Sequence, residues 1–402
     1  MICSTSYHVP GSLESILPLH DQSSRPFAIP LERLKKITDS FSDERIIGRG
    51  GSGVVYKVIN HFPQVYLYFF LYTLSKLPYP YIIIRQNFTQ GVLENGENIA
   101  VKKIVSSLTP GLQKQFENEV SHLMELKHAN IARCVGYCYE TRNECLLHNG
   151  KYVFAEMAER LLCLEYMPNG SLDKHISDES SGLDWSTRYN IIEGICYGLC
   201  HLHEQNGKPV IHLDLKPANI LLDEGMVPKI TDFGLSRLLD QKQTIYTKSC
   251  DGTLGYMAPE FLHGGTITTK SDIFSLGVII MEIVTGHKDY PDVTGTPSDD
   301  FIELVHVKWR NVLQRSSWYG SLETNCEQIK RCIQVGLICV NPDRTKRPPI
   351  AKIINMLQRT GSTDCDITDD TEVVDLTGII IIHIERVYLL ALLETRQLHY
   401  TP

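Results

Sequence analysis

The sequence lacks a basic surplus: 39 Lys and Arg stand against 47 Asp and Glu, for a net charge of −8. That argues against the basic stripe by which proteins usually hold nucleic acid. Paired cysteines are also missing. The 12 cysteines are scattered with no Cys-x-x-Cys pair and no Cys/His spacing that suits zinc. A disulfide framework is therefore unexpected, and reduced thiols of the cytosol or nucleus are expected. Residues 1–21 have no basic start followed by an apolar run, so no secretory leader is read there. Long apolar runs are interrupted. Lys76, Pro78 and Pro80 break residues 65–84, and His383, Glu385 and Arg386 sit within residues 376–393. A charge at mid-bilayer costs about 2.5–3.5 kcal/mol on the lenient insertion scale, so neither stretch reads as a membrane span. No internal repeat is visible.

What is present is an ordered change of pattern. Leu31, Leu34 and Ile37 recur at helical spacing. FSDERIIGRGGSGVVYK then reads as strand, glycine turn and strand, and NIAVKKI as a further strand ending at Ile104. Residues 112–127 place Phe116, Val120, Leu123 and Leu126 on one face of a helix. After the apolar run LLCLEYM the pattern is mainly helical from Ser171 onward. Strands first and helices afterwards predict an α+β chain with a small β-rich lobe and a larger α-helical one.

The chemistry-bearing residues sit in five places. Gly48, Gly50, Gly53 and Val55 form Gly-x-Gly-x-x-Gly-x-Val. Alone this is a weak signal, since dinucleotide folds use a similar run. Here, however, the glycines lead from strand to strand and not into a helix, which suits a flap closing over a triphosphate. Lys102, in Ala100-Val101-Lys102, lies near the end of that strand, and 17 residues later Glu119 lies on the predicted helix, able to orient that ammonium toward phosphates. Glu117, about 200° round the helix from Glu119, faces elsewhere. His212-Leu213-Asp214-Leu215-Lys216-Pro217-Ala218-Asn219 follows, then Asp232-Phe233-Gly234 and Ala258-Pro259-Glu260.

In this order and spacing the motifs resemble the protein kinase family, from about Phe41 to about Arg359. The resemblance implies a bilobal fold, ATP with Mg²⁺ (or Mn²⁺) as cofactors, and transfer of the γ-phosphate to protein hydroxyls. It makes Asp214 the base and Asn219 and Asp232 the metal ligands, with Lys216 on the transferring phosphate and Lys102 on the α- and β-phosphates, paired with Glu119. The adenine is expected on the connector Glu165-Tyr166-Met167, with Leu164 behind it and Ala100, Val55 and Leu221 lining the pocket. Lys216 within Asp-Leu-Lys-Pro, and Thr253, resemble the serine/threonine class. His212 and Phe233 read as packing residues, Glu260–Arg347 as a buried ion pair, and Asp272 as a support for the catalytic loop.

The stretches YMPNGSLDKHI, GLDWSTRYNIIEGICYGLCHLHE and HLDLKPANILLDE are similar to plant receptor-like kinases, which group with the interleukin-receptor-associated kinases. The resemblance implies residues 1–40 as a juxtamembrane-like segment, 41–166 as the small lobe, 167–359 as the large lobe, and 360–402 as a partly disordered tail. It also implies receptor-linked signalling in the cytoplasm or at the inner face of the plasma membrane. A Ser/Thr protein is the substrate and a membrane receptor the partner, with no nucleic acid and no membrane span in this chain.

Two departures stand out. Leu213 occupies the place of an arginine that binds an activation-loop phosphate in most of the family. Residues 58–90 interrupt a strand–turn–strand, lack Asp, Glu, Gly and Ala, and hold nine Phe or Tyr among 33 residues. Phe, Tyr, Ile and Asn have AT-rich codons, valine is encoded by GTN and glutamine can be CAG, so the segment reads as an in-frame retained intron. It is expected to split the strand beside the glycine flap, and a catalytically impaired scaffold is the alternative function.

Overall fold

The computed structural model describes residues 26–50, 53–58, 98–104, 110–176, 182–205, 207–239, 244–248, 251–286, 298–315 and 321–358. The small lobe is one antiparallel sheet with a single parallel edge strand. Strand β1 (Phe27–Ala28) precedes helix α1 (Leu31–Ile37), and β2 (Ile46–Gly50) and β3 (Gly53–Lys57) flank the glycine turn. Then come β4 (Ile99–Ile104), helix α2 (Pro110–Glu125), and two long strands, β5 (Cys134–His148) and β6 (Lys151–Glu165). The sheet order is β1-β5-β6-β4-β3-β2. On α2 the face read from the sequence is the buried one: Phe116, Val120, Leu123 and Leu126 are all buried.

The expected boundary at residue 41 cuts through this lobe. β1 pairs in parallel with β5, and Leu31 and Leu34 are fully buried against Val101, Val135 and Leu161 on the outer face of the sheet. Burying a leucine stabilises by about 1.5–3 kcal/mol, enough to hold a short helix that would not persist alone.

On the near side of the expected split the described residues form a closed ladder, and the far side, from Gly91 to Glu97, lies outside the described residues. β3 pairs with β4 without interruption from Gly53↔Ile104 to Lys57↔Ala100, and Val58 N–H still donates to Ile99 O at 3.1 Å. The ladder is closed up to the point where the extra segment leaves it. That segment, apart from Val58, lies outside the described residues, as do the tail 360–402 and residues 1–25.

The large lobe begins with α3 (Asp173–Ile176) and α4 (Trp185–Cys200), the latter capped by Asp184, whose carboxylate accepts from Thr187 N–H at 2.7 Å. Short strands β7 (Val210–Ile211), β8 (Ile220–Leu222), β9 (Pro228–Ile230) and β10 (Arg237–Leu238) carry the motif loops, with β8 on β9 and β10 on β7. Strand β11 (Ile245–Tyr246), helix α5 (Pro259–Gly264) and strand β12 (Thr266–Ile267) follow. Helix α6 (Thr269–Thr285) starts in a capping box of Thr268 and Ser271 and ends at Gly286, whose φ of 78° is the left-handed turn glycine allows. It is buried almost throughout and packs against α8 (Leu322–Cys339), with α7 (Ser298–Arg315) and α9 (Ile350–Gln358) completing the lobe.

Candidate active site

Cross-strand register puts the residues expected to line the nucleotide pocket on one side of the sheet. Val55 is opposite Lys102, Lys57 opposite Ala100, and Ala100 opposite Leu164. Since cross-strand partners share a face, Val55, Ala100, Lys102 and Leu164 line the same one. The flap is strand–turn–strand as read: Gly48 pairs with Val55 and Gly50 with Gly53. A Cβ at Gly53 would lie 2.3 Å from the Lys103 carbonyl oxygen, so only glycine lets β3 approach β4 there.

Lys102 Nζ lies 3.1 and 3.0 Å from the two Glu119 oxygens and 2.9 Å from Asp232 Oδ1. Glu117 instead turns outward, to Gln113 and Tyr139. One ammonium therefore faces two carboxylates in a buried setting. Burial works against the Lys102 charge, but the two carboxylates outweigh it and hold the ammonium's pKa above its ordinary value. Glu119 is pushed up to about 7, by burial first and by Asp232 as well, against the pull of Lys102. Burial also opposes the Asp232 charge, yet Lys102 brings its pKa below the usual carboxylate value. Asp232 has φ 68° and ψ 68°, a left-handed backbone that is costly for a non-glycine residue and that the surrounding packing must hold.

The second cluster surrounds Asp214. Its Oδ1 accepts from Thr253 Oγ1 at 2.6 Å, and its Oδ2 accepts from Lys216 Nζ at 2.7 Å and Asn219 Nδ2 at 2.9 Å. Lys216 Nζ also donates to Thr253 Oγ1 at 2.7 Å, and Asn219 Nδ2 to Asp214 O at 2.9 Å. Both carboxylate oxygens are thus oriented by fixed donors.

Beneath this cluster lies Asp272 of α6, fully buried. It accepts from His212 N–H at 2.8 Å, from Leu213 N–H at 2.9 Å, and faces His203 Nε2 at 3.0 Å. Leu213 has φ 68°, so Asp272 holds a strained residue directly before the candidate base. His212 packs its ring against Phe233 at 4.9 Å and reaches Thr231 O at 3.0 Å, with both rings fully buried. Arg347 grips Glu260 by two bonds of 2.8 Å and is itself buried.

The connector is placed but carries less detail. Glu165 ends β6 opposite Ile99 and accepts from Arg133 N–H at 2.8 Å, while Met167 O accepts from Gly170 N–H at 3.2 Å. Leu221 lies on β8, bridged to Ser171. Three residues escaped the sequence reading: His203, and the pair Tyr256–Glu282, whose hydroxyl and carboxylate meet at 2.9 and 2.8 Å in the core. No motif flags them; only contact across the fold does.

The donor set suits a hard cation. Asp232 supplies a carboxylate, and Asn219, its amide nitrogen spent on Asp214, supplies an oxygen. Among the described residues no cluster of three or more His, Cys, Asp and Glu could hold a metal. Mg²⁺ would take its remaining ligands from phosphate and water.

Comparison with known proteins agrees with this geometry. The protein kinase domain family matches residues 89–357, more than half of the chain, beginning just where the extra segment ends. "Cysteine-rich receptor-like protein kinase 29" of Arabidopsis thaliana is 36% identical over 82% of this chain and 42% of its own length. "Cysteine-rich receptor-like protein kinase 6" of Oryza sativa subsp. japonica is 34% identical over 84% of this chain and 42% of its own. "Cysteine-rich receptor-like protein kinase 44" of Arabidopsis thaliana is 34% identical over 83% of this chain and 77% of its own. The chain therefore spans less than half the length of most of these relatives, and it belongs to the protein kinase family, among the receptor-like kinases of plants.

Proposed function

We propose that the chain is an ATP-dependent protein kinase that phosphorylates serine or threonine on a protein substrate. The observation that carries this is the double grip on Asp214: Thr253 on one oxygen, Lys216 and Asn219 on the other. Such a carboxylate can take a hydroxyl proton in a defined direction while Lys216, two residues on, lies beside the group being transferred.

Lys102, steadied by Glu119, would hold the α- and β-phosphates under the flap of Gly48, Gly50 and Gly53. Asn219 and Asp232 would hold Mg²⁺, or Mn²⁺, which when bound neutralises phosphate charge. Val55, Ala100, Leu164 and Leu221 would enclose the adenine, with Glu165 and Met167 offering backbone groups. The substrate class is a Ser/Thr protein in receptor-linked signalling, on the cytoplasmic side of a membrane, and a membrane receptor is the natural upstream partner. No helix among the described residues is long and apolar enough to cross a membrane. None of the nine cysteines among them forms a disulfide.

The alternative, a catalytically impaired scaffold, rests on the insert at 58–90, while the described part of β3 keeps its pairing with β4. The test is transfer of labelled γ-phosphate to a basic protein, followed by phosphoamino-acid analysis. Phosphoserine or phosphothreonine is expected, and label on tyrosine alone, or none in the presence of Mg²⁺ and ATP, overturns the reading.

A further inference from the structure

β5 and β6 outrun the sheet to which they belong. β4 covers β6 only over Leu161–Glu165, and β1 covers β5 only at Gly136 and Tyr137. Beyond these points the two strands continue as a ribbon from Tyr139↔Arg160 to His148↔Lys151, and no described strand pairs with the far edge of β6. A lone two-stranded ribbon is at best marginally stable in water. This one nevertheless carries its largest apolar groups at the far end. Leu147, Tyr152 and Phe154, on one face, are 65%, 76% and 83% exposed, and Leu146 and Val153, on the other, 41% each.

Natural proteins blunt open edges with Pro, bulges or lysines. From Lys151 to Arg160 there is no Pro and no Gly, the one lysine is Lys151 at the turn, and the one register shift in the β5–β6 pair lies at the other end, at Cys134/Gly136. The root of the ribbon is fixed. Tyr139 takes Arg160 over its ring at 3.6 Å and holds Gln113 and Glu117 of α2 at 3.2 and 3.3 Å. The edge is rigidly presented and, among the described residues, unpaired.

We propose that this edge takes a second copy of the same chain, β6 pairing antiparallel with β6 about a two-fold axis at Ala155. The two-residue turn, with Asn149 at φ 50° and Gly150 at φ 75°, makes His148↔Lys151 a hydrogen-bonded pair. Alternation then points the N–H and C=O of Tyr152, Phe154, Glu156 and Ala158 out of the open edge. An axis at Ala155 brings Tyr152 opposite Ala158 of the second copy and Phe154 opposite its Glu156. Between them, Lys151 meets Glu159 of the second copy, Val153 meets its Met157, and two alanines meet on the axis. Lys103 already fixes Glu159 in place at 3.0 Å. Moving the axis to Glu156 sets like carboxylates face to face, and moving it to Phe154 leaves Lys151 opposite Met157. The register at Ala155 is the one that pairs the charges, and a two-fold contact closes on itself without building a fibre.

The test is register-specific. In a Cys145→Ser background, Ala155→Cys places two thiols on a non-hydrogen-bonded antiparallel pair, with Cα atoms about 4.5 Å apart and within disulfide reach. At Ala158→Cys the two thiols are about 20 Å apart. Mild oxidation of the full chain should give covalent dimer at position 155 in at least about tenfold excess over position 158. Glu156→Pro removes an N–H that faces only the open edge, so it spares the β5–β6 ladder and should abolish the reversible dimer in sedimentation velocity. A monomer at every concentration, equal cross-linking at the two positions, or a dimer that survives Glu156→Pro overturns the proposal.

Discussion

The two halves of the site are held by different physics. Around Lys102 the hold is electrostatic and buried: one ammonium, two carboxylates, and little solvent. Around Asp214 it is directional: neutral and charged donors are aimed at specific oxygens, and Asp272 pins the backbone below. A buried charge group is sensitive to losing any member, because the remainder is left uncompensated. A hydrogen-bonded carboxylate tolerates a change of shape poorly but a change of depth well. Comparing the halves by mutation asks which kind of organisation the reaction needs most.

The largest effect is expected at Asp214. Asp214→Asn keeps the shape and the contact with Thr253 but cannot take a proton, so phosphate transfer should fall by about 10²–10⁴-fold. ATP–Mg²⁺ affinity, measured by titration calorimetry, should stay within about threefold, since the proposed base would touch the hydroxyl and not the nucleotide. A tenth of the parent rate in the mutant would show that another group is the base.

Next comes the buried half. Lys102→Met removes the cation that bridges Glu119 and Asp232 and should lower kcat/KM by about 10²-fold. Glu119→Gln should cost about tenfold, because Lys102 keeps Asp232 and the amide oxygen still accepts a hydrogen bond. Steady-state kinetics on the pair of variants tests the order. If Glu119→Gln is the more damaging of the two, orientation of the lysine matters more than its charge at the phosphates.

A smaller effect is expected from the activation loop. Leu213, buried and at φ 68°, offers no cation to a phosphate on Thr244, Tyr246, Thr247 or Ser249. The loop has another anchor: β11 pairs with β12, and Thr247 N–H donates to Gly265 O at 2.9 Å. Phosphatase treatment should therefore change activity by less than about tenfold, under about 1.4 kcal/mol of barrier. A hundredfold loss would mean that a cation elsewhere takes over the missing arginine's role.

The same contrast explains what could be read from the sequence. The Asp214 half was legible because Asp214, Lys216 and Asn219 stand in one short motif that resembles the protein kinase family, although Thr253 comes from 39 residues on. Lys102 and Glu119, 17 residues apart, were legible because a strand end and a helix face constrain them. The Lys102–Asp232 contact spans 130 residues, and its short distance depends on how the lobes close. The β5–β6 ribbon was missed although Asn149-Gly150 is a hairpin signal. Its strands alternate poorly, with apolar groups on both faces near the tip, as befits a ribbon with no core to face. The strand β1 was missed because two residues carry no period at all.

The smallest effect is expected from removing the extra segment, all but Val58 of which lies outside the described residues. Splitting β3 would cost the flap its support. Among the described residues β3 and β4 stay paired, Val58 is buried, and its N–H bonds to Ile99. What remains is the entropy of a longer connection, about 2 kcal/mol for a change from about 5 to about 38 residues. That term weakens the small lobe against unfolding but does not act on the folded flap. A chain lacking residues 59–90 should therefore bind ATP–Mg²⁺ within about threefold of the full chain, while melting at a higher temperature. Calorimetry on the two chains side by side decides it. A tenfold gain in affinity on deletion would mean that the extra segment disturbs the flap despite the closed ladder, as the sequence-based expectation has it.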